Sequence, residues 1–284
     1  MKKIRLHVVL LLLLTLAGCS VVSIGYNYAE VYLRYSINSY AMFNAAQKER
    51  IKKEVDDFML WHRKMMLPQY VSFLQELQGV VQAGHALNRE DVSRLRVEVR
   101  KLYVKTLQPT VMPAASLLRG IESAQMEELV HAFASENDKQ KDKELAGSLD
   151  EQLRKRAERT IDFVENMVGG LTDAQQEKIR ELSHNLPFAT DIYIRLREEN
   201  QAGLVSMLKS NKSEGEIASF LSVWLNTPEA NRSPEEQKIL KSFESASEQM
   251  TISIYMMLSD RQRKTLLKNI TKYIDTFQQL ASGT

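Results

Sequence analysis

Leu171-Thr172-Asp173-Ala174-Gln175-Gln176-Glu177-Lys178-Ile179-Arg180-Glu181-Leu182 is the stretch that decides the fold. Threonine is a good N-cap, because its side-chain oxygen accepts one of the backbone N–H groups that a helix start leaves unbonded. A glutamine three residues on returns a bond to the N–H of the cap itself, closing a capping box. Behind this start, Ile179, Leu182, Leu186, Ala189, Tyr193 and Leu196 keep steps of three and four, the spacing of one helix face. In front of it, Gly169 and Gly170 make a clear stop.

The same spelling occurs at three more places: Phe43, Asn44, Gln47, Ile51; Ile121, Glu122, Gln125, Leu129; and Leu258, Ser259, Gln262, Leu266. Each reads as a helix start, with Glu122 the weakest of the four caps. Further stripes at helical spacing are Ile51, Val55, Phe58, His62, Met65; Val92, Leu95, Val99, Leu102; and Leu266, Ile270, Tyr273, Phe277, Leu280. Six prolines and eleven glycines are few for 284 residues, and nothing of length reads as a strand. The expectation is an all-α protein, an elongated antiparallel array or bundle of roughly seven to nine helices counted from starts and breaks. Pro68 is expected to end or kink the first long helix, Gly79 to Gly84 to loosen the next segment before Asn88 caps a new start, and Pro109 and Pro113 to bend another. Ser135 to Lys143 reads as a solvated helix surface or loop, and Asn226 to Pro234 as a loop that Ser233-Pro234-Glu235-Glu236 ends with a new capping box.

The chain begins with Lys2, Lys3 and Arg5, an apolar run from Val8 to Ala17, and then the small pair Ala17-Gly18 directly before Cys19. That order is a secretory signal peptide. Its apolar run is too short to span a bilayer, which takes roughly 20 residues. Leu16-Ala17-Gly18-Cys19 resembles the lipobox of bacterial lipoproteins. The resemblance implies removal of residues 1–18 and several acyl chains on Cys19, so the membrane is held through covalent lipid with no other cofactor. Ser20 stands where an acidic residue is the usual inner-membrane retention signal, which implies the periplasmic face of the outer membrane. Residues 19–43 then form a lipidated tether and a tyrosine-rich first segment, and 44–284 the helical domain. Tyr26, Tyr28, Tyr32, Tyr35 and Tyr40 admit two readings: rings at headgroup level, or rings packed on the body.

Removing the signal peptide takes three of the 38 basic residues and none of the 36 acidic ones, so 35 face 36 and the formal net charge becomes −1. A near-neutral chain lacks the basic stripe that nucleic acid requires. Cys19 is the single cysteine, which excludes an internal disulfide and a cysteine metal site. The chain has no HExxH, phosphate-binding glycine loop or GxSxG elbow, and no small-molecule substrate is evident. The sharpest enzymatic pattern is ExxH, at Glu128/His131 and Glu181/His184, the spacing used in di-iron bundles. Its helical phase opposes that use: Glu181 lies about 100° and His184 about 200° from the core residue Leu182. No catalytic residue and no metal ligand is therefore assigned.

Two wider resemblances remain. Leu171, Thr172 and Gln175 resemble the LTxxQ motif of small periplasmic stress proteins of the Spy and CpxP type, which are all-helical and include an ATP-independent chaperone. Tyr26-Asn27, Trp61-His62-Arg63 and Leu67-Pro68-Tyr70 together resemble a family of uncharacterised bacterial lipoproteins with YN, WHR and LPxY behind a lipobox. Trp61, His62, Arg63 and Tyr70 are candidates for binding an envelope partner, beside the plainer use of tryptophan to fill the proline kink while histidine and arginine meet freed carbonyls. The leading expectation is a lipid-anchored, non-catalytic scaffold; a Spy-like holdase is second and a di-iron enzyme a remote third.

Overall fold

A computed structural model describes residues 18–84 and 86–283; the expected signal peptide up to Ala17 lies outside them. The chain is an all-α array, and the described residues contain no strand. In chain order its helices are α1 (Gly18–Asn27), α2 (Ala29–Asn38), α3 (Ala45–Trp61), a π-turn (His62–Met66), α4 (Leu67–Gln82), α5 (Arg89–Leu107), a 3-10 turn (Gln108–Thr110) and α6 (Val111–Arg119). They continue with α7 (Ser123–Glu144), α8 (Leu149–Val168), α9 (Asp173–His184), α10 (Thr190–Lys209), α11 (Glu214–Asn226), α12 (Pro234–Met256) and α13 (Asp260–Ser282). These are more segments than the seven to nine expected. Ser20 to Gly25, within the stretch expected to hold the tether, is helix, and the run from Ile179 to Leu196 is cut where α9 ends and Asn185 to Ala189 turns into α10.

Pro68 does not end its helix. The chain passes through the π-turn, in which the N–H of Leu67 bonds back to the carbonyl of His62, and α4 starts at once. A proline inside a helix clashes with the carbonyl four residues earlier, and the wider turn relieves that clash. The extra residue also slips the helical phase. Met66 and Leu67 are therefore buried, whereas Met65, the expected fifth member of the stripe, points outward. Gly79 likewise sits inside α4, which runs on to Gln82. Pro109 lies in the 3-10 turn that parts α5 from α6, Pro113 lies in the first turn of α6, Ser135 to Lys143 continues α7, and Asn88 and Ser233 cap α5 and α12 with full capping boxes.

Two main cores result. The larger joins Val71 and Val81 of α4, Ile161, Val164 and Val168 of α8, Ile179 of α9, Met250 and Tyr255 of α12, and Ile270 and Ile274 of α13. The second joins Val111 and Ala115 of α6, Leu129 of α7, Leu204 and Leu208 of α10, and Ile217 and Ala218 of α11. A third, smaller cluster packs α1 and α2 onto Ile51, Val55 and Met59 of α3. Val99, Tyr193 and Tyr273, placed on stripes by spacing alone, are among the exposed apolar side chains, and Ile274 takes the buried place beside Tyr273. Among the described residues, no helix is long and apolar enough to cross a membrane.

Candidate functional site

The four capped starts meet in two pairs. Gln175 and Gln262 each donate a side-chain N–H to the other's carbonyl oxygen at 2.9 Å. Each oxygen also accepts the N–H of its own cap, from Thr172 to Gln175 and from Ser259 to Gln262. Each second N–H goes to a backbone carbonyl, Gln175 to Met257 and Gln262 to Gly170. Gln47 and Gln125 repeat the pattern: mutual bonds of 3.1 and 2.7 Å, cap N–H groups from Asn44 and Glu122, and carbonyls of Gly120 and Met42. In all four cases the carbonyl lies two residues before the partner's cap, so each clasp has a local two-fold symmetry. Both donors and both acceptor directions of every amide are used. These glutamines are thus structural joints as well as caps, which the sequence pattern alone had not revealed.

The second cluster lies at the π-turn and collects the YN, WHR and LPxY residues. Thr106 donates to the carbonyl of Leu102 at 2.8 Å, which leaves its oxygen to accept from the Tyr70 hydroxyl at 2.5 Å. Tyr70 must then accept from Nε2–H of His62, 3.2 Å away, and Nδ1 of His62 accepts from the Tyr26 hydroxyl at 2.9 Å. For a neutral His62, proton counting fixes one direction along the chain and puts the ring proton on Nε2. Burial favours that state, holding His62 below its ordinary pKa. Burial also pushes the Tyr26 hydroxyl up to about 12, against the opposing pull of the Arg63 charge, so Tyr26 remains a donor. The Arg63 guanidinium stands 5.3 Å over the Tyr26 ring and reaches the Asn27 side-chain oxygen at 3.4 Å. Trp61 packs on Phe58, and Phe58 also packs on the His62 ring.

His62 and Arg63 therefore spend their polar atoms on α1 and α4. That differs from the expectation that they meet carbonyls freed by Pro68, because the π-turn aims them at Tyr26 and Asn27. A carbonyl beside the proline is met by Gln69 instead, which donates to Met65 at 2.8 Å. Thr106 escaped the sequence reading altogether; a lone threonine on α5 carries no local mark of a partner 36 residues away.

The ExxH pairs are separate from this cluster and from each other. Glu128 accepts the N–H of Met42 at 2.6 Å, and Glu181 pairs with Lys178 at 2.7 Å. Among the described residues, no group of three or more histidine, cysteine or acidic side chains is placed to hold a metal ion.

The family model of DUF6279, a family of unknown function, matches residues 39–237. That span holds Trp61, His62, Arg63, Tyr70 and three of the four capped starts, and excludes Tyr26, Asn27 and the Ser259 start. No curated protein and no solved structure matches the chain.

Proposed function

Because the chain belongs to this family of unknown function, its own residues have to carry the reading, and we propose that it is a lipid-anchored, non-catalytic scaffold of the cell envelope. In this proposal the signal peptide is removed, Cys19 carries the acyl chains, and the helical body stands on the periplasmic face of the outer membrane, where it binds a protein partner. The observation that carries it is the Tyr26–His62–Tyr70 chain. It begins seven residues after Cys19 and ties α1 to the long helix through the π-turn, so the anchored end and the body behave as one piece. The chain ends on the Leu102 carbonyl, a group that neither gives nor takes a proton, which suits a joint rather than a proton path.

The test is crosslinking of the intact lipoprotein in native envelopes, followed by pull-down. Recovery of a discrete protein partner supports the scaffold; recovery of the lipoprotein alone overturns it. A holdase of the Spy type is the second reading, favoured by the paired Leu171-to-Gln175 and Leu258-to-Gln262 starts. It requires the purified protein to suppress aggregation of an unfolded client.

A further inference from the structure

The segment of α1 and α2, joined end to end through the single residue Tyr28, is apolar on two sides. Its inner side places Tyr26, Ala29, Leu33 and Ile37 against α3. Its outer side shows Ile24, Tyr28, Val31, Tyr32 and Tyr35 to solvent, at steps of four, three, one and three, a single helical stripe. The three tyrosines of that stripe are 66%, 69% and 73% exposed.

A surface helix in water normally turns a charged side outward. Here the two charged residues of the segment, Glu30 and Arg34, bond each other at 3.1 Å, and Arg34 also reaches Asp56 of α3 at 3.4 Å. Between positions 22 and 39 these two are the charged residues, in a chain of which 26% is charged, and the Glu30 side chain, 44% exposed, spends its charge on Arg34. The next helix, α3, is the contrast: it exposes Lys48, Glu49, Arg50, Lys52 and Lys53. Charge returns only at the edge of the stripe, where Tyr32 and Tyr35 border a groove of about 560 Å³ that also holds Glu128, His131 and Lys139 of α7.

An apolar centre of tyrosine and aliphatic side chains with a mixed-charge rim is the composition of a helix lying at a bilayer surface, where phenol rings sit at the headgroup level. The stripe starts five residues after Cys19, on the same helix. Its five side chains are too few for a second copy of the chain, since a stable interface takes roughly 20–30 residues on each side. We infer that the outer side of α1 and α2 lies in the headgroup layer of the membrane that holds Cys19, fixing the orientation of the body. This inference rests on the lipidation of Cys19 proposed above.

The test uses the native lipoprotein reconstituted into phosphatidylethanolamine and phosphatidylglycerol vesicles. A thiol-reactive, environment-sensitive fluorophore is attached to the variants Tyr28→Cys, Tyr35→Cys and, as an exposed control on α8, Phe163→Cys. Severalfold weaker quenching by aqueous iodide at positions 28 and 35 than at 163, with blue-shifted emission, is the expected result. Equal quenching at all three positions in vesicle-bound protein overturns the inference while leaving the anchor standing. Protection that grows with protein density at constant lipid also overturns it, and assigns the stripe to a second copy. A parent protein that takes the label at Cys19 and stays off the vesicles removes the anchor itself, a result distinct from either.

Discussion

Gln175 and Gln262, 87 positions apart in sequence, share two reciprocal amide bonds of 2.9 Å across the starts of α9 and α13. This bond pair separates two explanations of the repeated motif. If glutamine serves only as the third residue of a capping box, glutamate serves equally well, since its oxygen accepts the same cap N–H. In the clasp, a carboxylate loses both donors, so the Met257 carbonyl loses its side-chain donor, the Gln262 oxygen keeps only its Ser259 cap donors, and the new charge faces that oxygen. Gln175→Glu should therefore destabilise the fold by about 2–3 kcal/mol. The urea midpoint of the variant measures it, and an unchanged midpoint returns the motif to simple capping.

Thr172→Ala removes the cap oxygen that accepts the Gln175 N–H at 3.2 Å, while the glutamine amide keeps its other partners. The expected loss is about 1 kcal/mol. Paired with Gln262→Ala in a double-mutant cycle, the two changes should not be additive, because both loosen the same joint.

Gly169 ends α8 at φ 82° and ψ −172°, a conformation that side chains of L-residues rarely adopt. Its added Cβ would meet no atom closer than 3.8 Å, so strain of the backbone rather than crowding sets the effect. Gly169→Ala should destabilise by about 1–3 kcal/mol, again read from the denaturation midpoint.

At the π-turn, Tyr26→Phe retains the ring under Arg63 and deletes only the hydroxyl that donates to His62. The prediction is a loss of about 1–2 kcal/mol, with faster limited proteolysis between α2 and α3 as α1 and α2 loosen from the body. Proteolysis at the parent rate would contradict the joint.

The same histidine gives a pH dependence. Burial holds the folded pKa of His62 below the unfolded value, so the unfolded chain binds more protons in the interval between them. Stability from this group is complete above the unfolded value, about 6.5, and declines as pH falls below it. Exposed carboxylates such as Glu216, held down to about 2 by Lys212 and by the Ser233-like cap at Ser213, titrate in a lower window. Urea midpoints between about pH 7.5 and pH 5 should fall for the parent and fall less for His62→Gln. Parallel curves would remove His62 from the account.

Much of this fold can be read locally. A capping glutamine sits three residues from its cap, and an apolar stripe repeats every three or four, so the starts at Asn44, Thr172 and Ser259 show themselves within a few residues. Contacts over distance do not. Nothing near Gln47 announces Gln125, 78 positions later, and nothing near His62 announces Tyr26 and Thr106. At Pro68 a π-turn interrupts the α-helix without ending the helical run, and that extra residue moved burial from Met65 to Met66. Tyr26 bonds to His62 and Tyr40 packs on Phe133, whereas Tyr28, Tyr32 and Tyr35 face outward, a split set by which side of α1 and α2 meets α3.

Intact-mass analysis of the protein extracted from the membrane fraction tests the anchor most directly. The account predicts a chain that starts at Cys19, heavier than its residues by the added acyl groups, and a Cys19→Ala variant that leaves the membrane. A full-length chain with residues 1–18 attached and an unmodified thiol would contradict it.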